Sequence, residues 1–335
     1  MTIRVGVIGT GGIGTDHATK LASTISGSTV SAVTDINRPR AEEVGKAVGG
    51  AKVFDDGFAL IKSDAVDAVL IASIGETHAA FTLACIEAGK PVLCEKPLAP
   101  TTPECLRILE AEVAFGRRLV IVGFMRRQDP GYRQVKASLD SGAIGDALIL
   151  HNVHRNAAVP DWFTSSMTMT DSIIHEVDTT RWLLGEELVS VQVIPPKRTP
   201  LAAPDFQDPQ FAAFTSETGI LSTVEFFANC QYGYDVRCEL VGSKGTASLL
   251  NPVVAGQITK GVDARPVPPD WRVRFGPAYH AELQAWISGL ERGESVGPSA
   301  WDGYAATRVT ECGVEAVNSG QRVAIDYIEK PSLYA

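Results

Sequence analysis

Two residues near the middle of this 335-residue chain have the types and the spacing of a proton-transfer pair. Asp171 and His175 are four positions apart in a segment, from Asp171 to Gly185, whose apolar pattern predicts a helix. On a helix this spacing places both side chains on one face, with Asp178 on the same stripe. The carboxylate can then orient the imidazole and stabilise its cation, which suits a general base. The alternative is that Asp171 complements the helix dipole and His175 packs in the core.

Lys96 is a further candidate for catalysis because of the strand that it follows. The run Cys94-Glu95-Lys96-Pro97 closes an apolar strand at residues 91–94, and ligands of parallel sheets bind at the carboxyl ends of the strands. Pro97 restricts Lys96 to extended backbone, and the ammonium can stabilise negative charge on a reacting oxygen. The alternative is a solvated lysine before a helix-starting proline. No second histidine or cysteine stands at ligand spacing from His175, so we expect no metal site.

A glycine-rich loop, Gly9-Thr10-Gly11-Gly12-Ile13-Gly14, joins the first predicted strand to a predicted helix and has the pattern G-x-G-x-x-G. Gly9 permits the tight turn, Gly11 lets the backbone approach a pyrophosphate, and Gly14 lets helix and strand pack closely. Asp35 ends the second strand, where a carboxylate accepts bonds from ribose hydroxyls and repels a 2′-phosphate, so we predict NAD rather than NADP. The alternative is a glycine-rich turn beside a surface aspartate. The predicted cofactor contacts are Gly9, Gly11, Gly12, Ile13, Gly14, Asp35, Ser73, His78, Glu95 and Lys96.

The elements that must position these residues change character after residue 122. Before it, helical segments alternate with six β-branched runs, at residues 3–8, 29–34, 52–54, 66–72, 91–94 and 118–123. This alternation predicts βαβ units and a doubly wound parallel sheet, the Rossmann fold. After residue 123 turns link most of the apolar runs, at 147–155, 188–195, 211–216, 220–228, 235–242 and 246–250, which predicts a mainly antiparallel sheet. We therefore predict an α/β domain at 1–122 and an α+β domain at 123–335.

The composition excludes several classes of protein. With 45% hydrophobic and 21% charged residues, the chain is typical of packed globular proteins rather than disordered ones. The 39 acidic and 30 basic residues give a net charge of −9, so the basic field that would bind nucleic acid is missing. The six cysteines form no C-x-x-C pair, which indicates free thiols in a reducing compartment. We see no run of membrane-span length and no leader pattern, so we expect a cytoplasmic protein that binds no membrane.

Three polar clusters in the second half offer many hydrogen-bond donors and acceptors. They lie at residues 125–127, 154–156 and 232–234. A polyhydroxylated ligand needs such a lining, since each buried hydroxyl must be matched. Each cluster would equally suit a sheet surface or an interface, because alternate residues of a strand face opposite ways.

Taken in order, the motifs resemble those of the glucose-fructose oxidoreductase and inositol dehydrogenase family over nearly the whole chain. The segments that carry the resemblance are GTGGIG, CEKPLA, GFMRRQDPGY, HRN, TDSIIHEVDTTRWLLG, CQYGYDVRCELVGSKGT, DWRVRFGPAYHAEL and GPSAWDGYAA. The resemblance implies a Rossmann domain that binds NAD, an open-faced sheet domain that binds substrate, and a homotetramer built by packing those sheets together. It also implies that Lys96 touches cofactor and reacting hydroxyl, and that His175 accepts the proton with Asp171 as its partner. The implied substrate contacts are Arg127, His154, Asn156, Asp171, His175, Tyr232 and Tyr234.

The predicted function is NAD-dependent oxidation of the axial hydroxyl of myo-inositol to scyllo-inosose, with His175 as the base. One alternative is the same reaction on another cyclitol or on an aldose, since a pyranose ring presents a similar set of hydroxyls. Another is a noncatalytic NAD sensor. Such a sensor needs the glycine loop but not Lys96, Asp171 and His175 together.

Overall fold

The structure is a computed structural model that describes residues 2–249, 257–264 and 266–335. The chain forms two compact units. The first contains Met1–Met125, Tyr279–Arg308 and Tyr327–Ala335, and the second contains Arg126–Ala278 and Val309–Asp326. Among the helices of the described part, none is both long and apolar enough to cross a membrane.

The first unit is built on a six-stranded parallel sheet with the strand order β3-β2-β1-β4-β5-β6. Its strands are β1 (Ile3–Ile8), β2 (Ser28–Thr34), β3 (Lys52–Val53), β4 (Ala68–Ile71), β5 (Val92–Glu95) and β6 (Val120–Gly123). The order reverses at β1, which creates a switch point between β1 and β4 where ligands of doubly wound sheets bind. The predicted Rossmann sheet is confirmed.

Five helices connect these strands: α1 (Gly12–Ser23), α2 (Arg38–Ala47), α3 (Gly57–Lys62), α4 (His78–Glu87) and α5 (Thr102–Phe115). The start of α5 is fixed by the Thr101 hydroxyl, which accepts the backbone N–H of Glu104. β-branched strand residues such as Val5, Val7 and Val33 are fully buried in the core of this unit. The core keeps the strand ends, and the loops that leave them, in fixed positions.

The second unit contains a seven-stranded sheet with the order β12-β11-β7-β10-β9-β8-β15. Its strands are β7 (Ala147–Arg155), β8 (Leu188–Ile194), β9 (Gln210–Ser216), β10 (Leu221–Phe227), β11 (Asp235–Gly242), β12 (Thr246–Leu249) and β15 (Val323–Ala324). β7 and β10 run parallel and the other neighbours are antiparallel, which confirms a mainly antiparallel sheet. Leu250, the last residue of one predicted strand, lies outside the described residues.

The remaining elements include two short strands, β13 (Gln257–Thr259) and β14 (Val262–Ala264), which pair with each other. The helices are α6 (Pro130–Asp140), α7 (Ser165–Met167), α8 (Ile174–Leu184), α9 (Trp271–Arg292) and α10 (Ala300–Ser319). The predicted closing helix at 301–318 is confirmed by α10, and the proline-rich segment 195–209 is irregular as predicted.

One prediction about the helix at Asp171 requires a correction. Residues Thr168–Ile173 form a π-helical turn, and the α-helix begins only at Ile174. A π turn is closed by i→i+5 rather than i→i+4 hydrogen bonds, so the backbone that carries Asp171 is not that of the regular α-helix that carries His175. Asp171 is exposed while His175 is 7% exposed.

The division of the chain also differs from a single boundary at residue 122. Residues 279–308 and 327–335, which the sequence assigned to the second domain, belong to the first unit. The reason is visible in contacts of unit 1. Leu283, Trp286 and Ile287 of α9 pack in the core around the parallel sheet, and the Tyr334 hydroxyl donates to the buried carboxylate of Glu112, 2.5 Å away.

Candidate active site

The glycine loop between β1 and α1 has the geometry of an anion-binding turn. Gly9 has φ +91°, and a Cβ there would lie 2.5 Å from the backbone nitrogen of Ser73. A Cβ on Gly14 would lie 2.0 Å from the carbonyl oxygen of Gly9, so helix and strand approach as the motif requires. A Cβ on Gly11, by contrast, would meet no atom of the described residues within 4 Å. Open space therefore adjoins the N-terminus of α1, where Gly12 and Ile13 begin the helix and Gly11 makes no side-chain cap.

Asp35 lies half-buried just beyond the end of β2 and is fixed by backbone donors. Its Oδ2 accepts the N–H of Thr10 at 2.6 Å, and its Oδ1 accepts the N–H of Asn37 at 2.8 Å. Burial acts to raise the pKa of this carboxyl, but the hydrogen bonds from Thr10 and Asn37 and the charge of Arg40 outweigh it and lower the pKa. Asp35 is therefore an ionised acceptor beside the glycine loop, which fits the ribose of an unphosphorylated dinucleotide.

Lys96 follows β5, and its backbone is held by a buried pair. The preceding carboxylate, Glu95, accepts from the Lys96 backbone N–H at 3.3 Å, while its other oxygen lies 2.6 Å from Nε2 of His17. His17 belongs to α1 and is fully buried. Gly123 of β6 leaves room for the Glu95 carboxylate, which lies within 3.0 Å of the place a Cβ would take. The helix that starts at the glycine loop is thus linked directly to the strand end that carries Lys96.

His78 connects the same region to the end of β4. Its Nδ1 lies 2.7 Å from the carbonyl oxygen of Pro97, and its Nε2 lies 3.1 Å from the carbonyl oxygen of Ser73. Two carbonyl acceptors require two N–H donors, which only the imidazolium supplies. Burial acts to lower the pKa of His78, but Cys94 and the two carbonyl oxygens raise it to about 9. Ser73, the other predicted contact here, bonds through its hydroxyl to Thr77 at 2.7 Å.

In the second unit, α8 carries two carboxylates that arginines engage. Nε and Nη2 of Arg127 donate to the two oxygens of Asp178 at 3.0 and 2.5 Å. This bidentate pair holds Asp178 on Arg127, although the sequence placed Asp178 on the stripe of His175. Glu176, next to His175 in sequence, forms an ion pair with Arg126, and both side chains are buried.

His154 and Tyr234 lie at this cluster. Nδ1 of His154 is 3.1 Å from Oε2 of Glu176, and its ring meets Tyr234 edge-on with ring centroids 5.7 Å apart. Burial raises the pKa of the Tyr234 hydroxyl, although Arg126 acts to lower it. Two of the predicted substrate contacts thus share one buried network with Glu176 and Arg126.

Asn156 and Tyr232 have different surroundings. The backbone N–H of Asn156 donates to the carbonyl of Phe227 at 2.9 Å, which fixes the loop after β7. Tyr232 is 47% exposed, and its hydroxyl bonds to Arg155 at 2.8 Å and to Asp235 at 2.7 Å. The two tyrosines of the Tyr232–Tyr234 cluster therefore differ in burial, although the sequence grouped them.

Comparison with known proteins identifies the family. Residues 3–124 match the family model of the "Oxidoreductase family, NAD-binding Rossmann fold". Residues 132–248 match the model of the "GFO/IDH/MocA C-terminal domain". A curated relative, inositol 2-dehydrogenase 3 of Saccharopolyspora erythraea, is 50% identical over 100% of this chain and 98% of its own length. The chain belongs to the GFO/IDH/MocA oxidoreductase family.

Other members of this family are similar over their whole length. Inositol 2-dehydrogenase of Burkholderia cenocepacia is 47% identical over 100% of this chain and 99% of its own. The crystal structure of myo-inositol dehydrogenase from Lactobacillus casei, in complex with NAD(H) and myo-inositol, has a TM-score of 0.97 at 35% identity, with 100% of both chains covered. The resemblance drawn from the motifs is confirmed, and so is NAD as the cofactor of this GFO/IDH/MocA oxidoreductase.

Sequence reasoning missed the residues that support the predicted ones. His17, Arg126 and Glu176 were not singled out as partners, although each is buried and charged or titratable. Part of the signal was present in the sequence, because a charged residue on an apolar helix face needs a charged or hydrogen-bonding partner when it is buried. The partner itself lies 50 to 78 residues away in sequence and is found only in three dimensions.

Proposed function

We propose that this GFO/IDH/MocA oxidoreductase oxidises the axial hydroxyl of myo-inositol to a ketone, giving scyllo-inosose and NADH. The observation that carries the proposal is the 50% identity over the full chain to an inositol 2-dehydrogenase. The close approaches in the glycine loop and the ionised Asp35 support it, because they fit the dinucleotide that such an oxidation needs.

In the proposed mechanism His175 accepts the proton of the reacting hydroxyl as general base, and Asp171 is its partner. The Lys96 ammonium touches cofactor and hydroxyl and stabilises the negative charge that develops on the oxygen. When bound, NAD supplies the acceptor for the hydride that leaves the carbon. His175 is only 7% exposed, which supports this role because water has little access to a buried base and competes less with it for the substrate proton.

The remaining residues of the second unit bind the polyol in this proposal. Arg127, His154, Asn156, Tyr232 and Tyr234 provide donors and acceptors for hydroxyls that do not react. Binding through several hydroxyls holds the reacting carbon in one orientation, which can contribute roughly 7 to 11 kcal/mol to catalysis at best. The same requirement separates inositol isomers, because an inverted hydroxyl leaves a buried partner unmatched.

The experiment that tests this function is a substrate panel. The purified protein is incubated with NAD and, in turn, myo-inositol, scyllo-inositol, glucose and xylose, and NADH is followed by absorbance. We expect the highest kcat/KM with myo-inositol and scyllo-inosose as its product by NMR. Faster oxidation of glucose or xylose would assign the protein to sugars, and NAD binding without turnover of any polyol would make it a sensor.

A further inference from the structure

The imidazole of His154 lies against a carboxylate that the sequence motifs did not assign. Nδ1 of His154 lies 3.0 Å from Oε1 and 3.1 Å from Oε2 of Glu176. Both residues are buried, with exposures of 3% and 1%. One ring nitrogen is thereby committed to a contact within the protein, and Nε2 is turned away from that carboxylate.

The charge of Glu176 determines what this contact is. Arg126, which is fully buried, forms an ion pair with the same carboxylate. Burial alone would raise the pKa of Glu176, but Arg126 and His154 outweigh it and the pKa is lowered. Glu176 is therefore ionised, and an ionised carboxylate only accepts hydrogen bonds.

A second contact of His154, with Arg126, would favour the other tautomer, but it is longer than the contacts with Glu176. Nη2 of Arg126 lies 3.4 Å from Nδ1 and would donate to it if that nitrogen were unprotonated. The lone pair of Nδ1 would then also face the Glu176 oxygens at 3.0 and 3.1 Å, which is repulsive. The shorter contacts are satisfied when Nδ1 carries the proton. Edge-on packing against Phe226, with ring centroids 5.2 Å apart, keeps the ring in this orientation.

We propose that Glu176 is a positioning residue that fixes the Nδ1–H tautomer of His154, so that the Nε2 lone pair of the neutral ring accepts a hydrogen bond from a substrate hydroxyl. The inference rests on the proposed function insofar as that hydroxyl belongs to a polyol. Arg126 has a separate task, since its positive charge lies in an ion pair with the Glu176 carboxylate and favours the ionised form. The ligand feature selected at this position is then a hydroxyl donor, and a hydrogen or a methoxy group is selected against.

The first test reads the tautomer directly and needs no substrate. The full-length protein, with ¹⁵N-labelled histidine, is studied by NMR at about pH 8, above the ordinary imidazole pKa. His154→Gln identifies the His154 signals among the six histidines. We expect a protonated Nδ1 and an unprotonated Nε2. A protonated Nε2 with a bare Nδ1 would overturn the proposal, whether or not the protein oxidises inositol.

The second test uses Glu176→Gln, with Glu187→Gln as its matched control. Glu187 accepts from Nε and Nη2 of Arg181 at 2.5 and 2.7 Å, so the control also removes a carboxylate that is bound by an arginine of α8. In Glu176→Gln the amide oxygen faces Arg126 and the amide nitrogen can donate to Nδ1 of His154. We expect the other tautomer in the NMR spectrum and a KM for myo-inositol raised about tenfold or more.

The KM for NAD separates positioning from general damage. We expect less than about a twofold change in it for Glu176→Gln, and wild-type values of both constants for Glu187→Gln. An unchanged tautomer, or equal losses in the two variants, would contradict the proposal. If Glu176→Gln does not fold, the wild-type spectrum alone decides. If wild-type protein turns over no inositol, the proposed function fails while the tautomer is still read.

Discussion

His175 is the residue on which the proposed chemistry depends most. Its replacement by alanine removes the proton acceptor, and general-base catalysis contributes about 10²- to 10⁴-fold. We expect kcat for myo-inositol oxidation to fall by about 10²-fold or more in His175→Ala. Binding of NAD, measured by calorimetry, should stay near the wild-type value because the glycine loop and Asp35 belong to the other unit.

His280→Ala is the control for this substitution, since His280 is half-exposed and its contact with the carbonyl oxygen of Thr24 is long, 3.4 Å. It should retain wild-type kcat. A His175→Ala enzyme with more than about a tenth of wild-type kcat would show that another group takes the proton.

Asp35 governs the choice between the two nicotinamide dinucleotides. A carboxylate about 4 Å from a phosphate costs about 1 to 4 kcal/mol, depending on the local dielectric. In Asp35→Ser this repulsion is lost, so the ratio of kcat/KM for NAD to that for NADP should fall by about tenfold or more. The same variant loses the bond to the Thr10 N–H, so kcat/KM for NAD should also fall. An unchanged ratio would mean that Asp35 does not face the 2′ position.

The surroundings of an individual residue can be predicted from the sequence where a motif determines them. Gly9, Gly14 and Asp35 have the geometry that the glycine-loop pattern requires. The three glycine positions of the motif and the acidic residue at the end of the second strand define that geometry. The pairs His17–Glu95 and Arg126–Glu176 could not be predicted. Their members are joined by tertiary packing rather than by spacing along the chain.

Among the elements, β4 and β5 are tied together after their carboxyl ends by His78. The pKa of this imidazole is about 9 in the folded protein against 6.5 in the unfolded chain. A raised pKa adds stability that is fully present below pH 6.5 and is lost as the pH rises through 9. A shift of this size corresponds to about 3 kcal/mol.

The free energy of unfolding, measured with urea, should therefore be lower at pH 9.5 than at pH 6 for the wild-type protein. This difference should be absent in His78→Gln. Cys94 is one of the groups that raise the pKa of His78, so Cys94→Ala is included as a second background. Equal pH dependence in wild type and His78→Gln would contradict a charged His78.

The π-helical turn Thr168–Ile173 marks the limit of element prediction from periodicity. The apolar pattern correctly indicates a helical segment that ends at Gly185, which has φ +70°. It does not distinguish an α turn from a π turn, because one inserted residue per turn changes the register without changing the composition. The relation between Asp171 and His175 is therefore set by the turn and not by their spacing alone.

For the whole molecule, the open face of the second sheet is the feature that leads to assembly. Alternate residues of β9 and β10 are buried on one face, while Phe211, Phe227 and their neighbours are partly exposed on the other. We propose that this face packs against other copies in a homotetramer, because apolar side chains that are exposed on a sheet face are costly in water. Light scattering of the wild-type protein at micromolar concentration should give the mass of four chains, and a stable monomer would contradict the proposal.

Phe211→Lys tests which surface is used. The new ammonium is placed opposite Glu225 in the neighbouring strand, so the fold of the subunit should be kept while the apolar contact is lost. We expect a smaller assembly. Phe58→Lys, at a 44% exposed position on α3, is the control and should remain tetrameric.

The two-unit organisation could be predicted from the change in rhythm after residue 122, but its discontinuity could not. Residues of α9 and α10 are divided between the units by the neighbours they pack against. Helical periodicity shows that a face is apolar without naming the sheet that it covers.

The proposed oxidation is tested by following the hydrogen that leaves the substrate. The wild-type protein is given NAD and myo-inositol with deuterium on the carbon of the axial hydroxyl, and both products are analysed by mass spectrometry. We expect the deuterium to be transferred quantitatively to the reduced nicotinamide and the ketone formed to be scyllo-inosose without the label. Deuterium retained in the oxidised product, or no transfer while another polyol is oxidised, would contradict it.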